Sequence, residues 1–193
     1  VTQGSKRSRI TPNLSMNKVL FLLVLVTFSC SDLEKEAHLG TIKTLESALL
    51  TTRETFETIK VDSLFEMQQR TSDLERSLKQ NYHSDTVNLA FGRRVDNYKR
   101  MRRMLVPLGN VGTKLSNAIT EEVTQLQLLF QDVENGFGAR DKYDEYILLE
   151  TKKCGQIKLL LEDYQKTRTE AFDIYNNEHN FLVSFVEQIM SIE

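Results

Sequence analysis

The sequence predicts an all-α fold: an elongated antiparallel helical bundle or coiled coil, closed by a C-terminal helix of about 50 residues, ~75 Å at 1.5 Å per residue. Three observations predict it. Breakers are scarce, with two Pro and eight Gly in 193 residues and no Trp, which argues against a loop-rich or all-β chain. Apolar residues recur at helical spacing nearly throughout the chain after Cys30. Charged residues make up 27%, with both signs interspersed after residue 31, as on a solvated helical surface. The length suits one domain with a core.

The first helix after Cys30 carries Ile42, Leu45, Leu49, Thr52, Phe56 and Ile59 at alternating steps of three and four. The stripe then jumps phase by one residue and resumes at Leu64, Met67, Thr71, Leu74 and Leu78. The jump falls at residues 60–63, where Ser63 and Glu66 have capping-box spacing. Either the helix breaks there or it runs on with local unwinding; a kink or short break is the expectation. Residues 82–86 lack periodicity and read as a loop. A helix then carries Val87, Phe91, Tyr98, Met101 and Leu105, and Pro107, Gly109 and Gly112 are expected to stop it. The next helix carries Leu115, Ile119, Leu126, Leu129 and Val133 and ends at Gly136 and Gly138. The short connection implies an antiparallel neighbour.

The last helix has the clearest seam. Tyr143, Ile147, Glu150, Cys154, Ile157, Leu161, Tyr164, Arg168, Ala171, Tyr175, Glu178, Leu182, Phe185, Ile189 and Ile192 keep the four-three step, interrupted in character only by Glu150, Arg168 and Glu178. Asp141 is the expected N-cap, with Asp144 and Glu145 in the first turn. Leu148, Leu149, Leu160, Phe172, Ile174 and Phe181 form a flanking stripe, which suggests more than one partner helix. These lengths suggest a four-helix head and a thinner stalk. The head would hold both short middle helices, residues 64–81 and the first half of the last helix. The stalk would pair residues 33–60 with its second half. The alternative is a compact three- or four-helix bundle with the middle helices packed along the full length.

The amino-terminal part has a different character. Residues 1–29 hold Lys6, Arg7, Arg9 and Lys18 and no acid, followed by an apolar run from Val19 to Phe28. Removing these four from the 25 Lys and Arg leaves 21 against 27 acids, so the part after Cys30 carries about −6. Ten helical residues span ~15 Å, about half a hydrocarbon core, so the run is a secretory h-region and not a transmembrane anchor. Met16, Asn17 and Lys18 make a compact n-region. Residues 1–15 are therefore either a mis-assigned start or an extended n-region, 16–29 a signal peptide, and 30–193 the exported bundle.

Val26, Thr27, Phe28, Ser29 and Cys30 resemble a lipobox, in the form common to Bacteroidota lipoproteins. The resemblance is confined to residues 16–34 and implies nothing about the bundle's fold. It implies removal of the leader, lipidation of Cys30 and anchoring in the membrane, because each buried methylene of an acyl chain contributes ~0.8 kcal/mol. Ser31 after the cysteine implies delivery to the outer membrane. Asp32 and Glu34 loosely match the acidic signal for surface display, so the periplasmic face and the cell surface both stay open. Cys154 is then the one remaining cysteine, has no disulfide partner, and reads as a small core residue on the seam.

No catalytic constellation, cofactor motif or metal-ligand spacing is apparent among His38, His83 and His179, and each histidine reads as a solvated surface residue. There is no nucleophile elbow, and the glycines at 109 and 112 lack the lysine and strand of a phosphate loop. The expectation is a non-enzymatic spacer or partner-binding module; a small-ligand carrier or enzyme working in a cavity between helices is the alternative. One patch stands out. Arg93, Arg94, Lys99, Arg100 and Arg103, with Arg102, put six cations against one acid in residues 93–103. They offer a grip for an anionic lipid or glycan or an acidic protein partner. The reading weighed against this one, and favoured over it, is pairing inside the bundle with acidic neighbours, notably Glu121, Glu122, Asp132 and Glu134. Nucleic acid is not expected as a partner of an exported acidic domain.

Overall fold

The structure, a computed structural model, describes the backbone of residues 14–59, 62–83, 86 and 88–191, and the side chains of 33–59, 63–83, 86 and 88–191. All regular structure among them is helical. Helix α1 is Leu14–Glu57, α2 Asp62–Asn81, α3 Leu89–Asn135 and α4 Tyr143–Met190, with one 3-10 turn at Arg140–Lys142 before α4. The expected all-α elongated antiparallel bundle is present, and α4, at 48 residues, matches the long helix read from the seam.

The first rod breaks where the apolar stripe changes phase. Helix α1 ends at Glu57, and the chain turns through a bond from the Ile59 N–H to the Phe56 carbonyl at 3.0 Å. Phe56 and Leu64 are both buried, eight residues apart. An unbroken helix would rotate that spacing off the seam, and the interruption resets it.

Helix α3 departs from the sequence reading. Pro107, Gly109 and Gly112 do not end a helix; they lie inside one that runs 47 residues without interruption. A proline in a helix interior removes one ladder bond and carries a cost of ~3 kcal/mol. Packing offsets that cost here. Leu105, Leu108 and Leu115 on either side are essentially sealed from solvent, while Pro107 sits on the outward face. From α2, the Gln68 amide donates to the Leu105 carbonyl at 2.6 Å. Gly112 has a packing role: a Cβ there would lie 3.3 Å from the Tyr164 hydroxyl. The cap of α3 is Asn88, whose side chain accepts from the Phe91 N–H at 3.1 Å.

The α3–α4 turn is tightly built. Gly136 caps α3 at φ 69°, and the Phe137 N–H reaches the Asp132 carbonyl at 2.8 Å. This left-handed cap favours glycine. The buried Tyr143 hydroxyl closes the turn, 2.9 Å from the Asp132 carbonyl and 2.6 Å from that of Phe137. Asp141 is not the N-cap of α4 as expected: it lies within the 3-10 turn, and the cap position is Lys142, without a side-chain bond. Asp144 and Glu145 do occupy the first turn.

Three rods result. Helices α1 and α2 follow each other along one side, α3 returns antiparallel, and α4 runs back beside both. His38 on α1 meets Asp144 at the start of α4. Phe56 meets Tyr164 edge-on at mid-height, and Tyr82 meets Phe91 and Phe185 at the far end. The expected head and stalk are therefore not formed. Residues 33–57 pair with the first half of α4 and not the second, because the unbroken α3 is long enough to line the whole bundle. The core follows the predicted seam on α4 as far as Leu182. It then passes to Val186 in place of Phe185 and Ile189, which are half-buried. The flanking stripe is only partly covered. Helix α4 does have more than one partner, packing on α3 and on α1 and α2; Phe172 and Ile174 pack on the core, while Leu148, Leu149, Leu160 and Phe181 stay largely exposed.

Candidate functional site

Residues 1–13 lie outside the described backbone and residues 14–32 outside the described side chains, so the expected n-region, apolar run and lipidation site at Cys30 lie outside the described side chains. No helix among the described residues is long and apolar enough to cross a membrane.

The basic patch divides into two sets. On α3 the core side is marked by Phe91, Tyr98, Met101 and Leu105. A step of 100° per residue puts Arg93, Lys99, Arg100 and Arg103 on the opposite arc. Arg94 projects with the core side and Arg102 at its border, and they turn to α4 and α2 respectively. Arg94 donates to Glu178 at 2.8 Å and covers the Phe181 ring at 4.2 Å. Arg102 pairs with the buried Glu75 at 2.7 Å, and Arg100 with Glu170 at 3.4 Å. The bundle thus pairs half the cations internally, but not with Glu121, Glu122, Asp132 or Glu134. Those acids share the α3 rod with the cations and stand turns away from them. Arg93, Lys99 and Arg103 are exposed and form no ion pair among the described residues.

Glu178, one of the three interruptions of the seam, is therefore a buried counter-charge for Arg94. Glu150 belongs to a second polar node. It lies on the seam of α4 beside Glu122 of α3, and Lys153 reaches Glu150 at 2.7 Å and Glu122 at 3.8 Å. Burial, then the hydrogen bond and charge of Glu150, push the Glu122 carboxyl up to about 7. Cys154 is half-buried against this node, and burial followed by the two carboxylates pushes its thiol up to about 11. A thiol so placed stays protonated and unreactive. The third interruption, Arg168, stacks on Phe172 at 4.2 Å along its own helix.

The histidines correct the surface expectation in two cases of three. His179 is half-buried, bonded to the Tyr98 hydroxyl and stacked on Tyr175 at 4.3 Å; burial, then the charge of Arg70, lowers its pKa. Burial also pushes the Tyr98 phenol up. His38 is mostly covered and bonded to Asp144. His83 is exposed as expected. No spacing rule along the sequence would find these pairs, since His179 and Tyr98 are 81 residues apart.

A hollow of about 590 Å³ is an open groove between α1 and α4, whose lining includes Thr51, Thr52, Thr55, Thr151 and Leu161. Each of these threonine hydroxyls donates back to its own helix, to the Ser47, Ala48, Thr51 and Ile147 carbonyls at 3.1, 2.9, 2.8 and 2.7 Å. Their donors are spent on the backbone and do not converge on a ligand. Comparison with known proteins gives no matching family model, no matching curated protein and no matching solved structure.

Proposed function

We propose that the chain is a cell-envelope lipoprotein anchored through Cys30, whose three-rod bundle serves as a non-enzymatic spacer and partner-binding module at the bacterial outer membrane. The observation that carries the reading is the leader itself: an acid-free basic start, a ten-residue apolar run and a cysteine directly after Ser29. The bundle adds an orientation. Residue 30 precedes the pole where His38 meets Asp144, so the anchor and the α3–α4 turn would share one end, and Tyr82, Phe91 and Phe185 lie at the other.

That orientation narrows the role of the basic face. From Val133, near the anchored pole, to Arg100 is 33 residues of helix, roughly 50 Å at 1.5 Å per residue. Arg93, Lys99 and Arg103 then stand beyond reach of the headgroups that hold the anchor. An acidic protein surface or anionic glycan is the partner this charge suits. A ligand carrier or enzyme would need polar groups converging on a hollow, which the threonine groove does not favour.

Two experiments test the reading. Cys30→Ala is expected to move the protein from the membrane to the soluble fraction; retention in membranes contradicts the anchor. Reversing Arg93, Lys99 and Arg103 to Glu is expected to abolish salt-sensitive binding to envelope fractions while leaving the helical content intact. Unchanged binding would show that the face has no partner.

A further inference from the structure

Away from the basic face and the seam, Glu34, His38 and Asp144 come together at the pole near residue 30. Glu34 and His38 are one turn apart on α1 and project from the same face. Asp144 enters from the first turn of α4. One ligand atom from each, two carboxylate oxygens and an imidazole nitrogen, lies within 4.8 Å of the others. His38 Nε2 is 2.8 Å from Asp144 Oδ1. The imidazole is held: its side chain keeps 13% exposure, and its ring stands edge-on to Tyr143, with centroids 6.1 Å apart at 89°. Tyr143 is fixed in turn by the two carbonyls of the α3–α4 turn. The carboxylates are exposed and free to adjust.

We propose that Glu34, His38 and Asp144 bind a divalent transition ion, Zn²⁺ by its chemistry, with water in the fourth position. The ion would clasp the start of α1 to the start of α4. One neutral imidazole and two carboxylates balance a dication. An imidazole ligand selects Zn²⁺ and its neighbours over Mg²⁺ or Ca²⁺, which take oxygen. Zinc–ligand distances of about 2.0–2.2 Å place tetrahedral donors about 3.4 Å apart. The His38–Asp144 pair, now a hydrogen bond at 2.8 Å, would open by about 0.6 Å to admit the ion, and Glu34 would close in by a rotamer change of an exposed side chain. Arg140 borders the same recess as Glu34 and His38. Its Nε is occupied by the Gly136 carbonyl at 2.8 Å, so it flanks the site. The site does not depend on lipidation of Cys30 and stands or falls separately from it.

The test is calorimetric titration of the metal-free full chain with ZnCl₂, with thermal melting in parallel. One ion per chain is expected, with affinity near the micromolar range or tighter and a raised Tm. His38→Ala and Asp144→Asn are each expected to weaken binding by ~10-fold or more, while both keep the wild-type helical signal in chelator, because the cluster is peripheral. Millimolar Mg²⁺ is expected not to compete. No saturable binding below ~100 μM overturns the proposal, and so does binding that survives both substitutions, which assigns the ion to another group.

Discussion

Glu122 is a buried carboxylate on α3 whose neighbours across the interface are Glu150, Lys153 and Cys154 of α4. Burial and the adjacent Glu150 raise its folded pKa from an ordinary 4.5 to about 7. Folding therefore takes up a proton between those values. The stabilisation is complete below about pH 4.5 and is lost as the pH rises through about 7. The melting temperature is expected to fall by several degrees from pH 5 to pH 8. Glu122→Gln removes the charge, flattens this slope and melts above the wild type at pH 8. A wild-type profile level across that window would contradict the account. Half of the node was legible: Glu150 stands out as a polar residue on an apolar seam. Glu122 does not stand out, because the partner that makes it unusual sits on another helix, 28 residues on.

At the scale of elements, periodicity was a good guide and punctuation a poor one. The α4 seam reads directly as the buried face from Tyr143 to Leu182, and the phase jump between Phe56 and Leu64 marks the break in the first rod. Pro107, Gly109 and Gly112 read as a stop because each weakens an isolated helix. In the bundle, the buried leucines flanking the proline hold the helix together, and Gly112 makes room for Tyr164. Replacing Pro107 by Ala restores a donor on an exposed face. It is expected to stabilise the fold by about 1–3 kcal/mol, read as a higher denaturation midpoint with an unchanged m-value. Destabilisation would mean that the proline's local geometry is needed for packing of α2 on α3. The Asp141 cap was misplaced for a local reason: the Gly136 turn and the Tyr143 hydroxyl already fix the start of α4, leaving Asp141 to a 3-10 turn.

For the whole molecule, one misread element changed the architecture. With α3 split in two, unequal lengths call for a head and a stalk. With α3 whole, α3 and α4 match at 47 and 48 residues, about 70 Å each, and α1 and α2 follow one another beside them. Which helix faces which is not written in the period of any single stripe. It follows from pairs such as His38 with Asp144 and Tyr82 with Phe185, which only the fold brings together. The same rods set the two poles apart: the turn and the His38 cluster lie at the end that follows residue 30, and the free cations toward the other. The proposed tether at Cys30 rests on the sequence alone, so the mature amino terminus is the decisive quantity. Mass spectrometry of the protein isolated from bacterial membranes is expected to find the chain beginning at Cys30, with a diacylglyceryl group on its sulfur. A mature chain that begins at any other residue, with Cys30 as a free thiol or absent, would contradict the account.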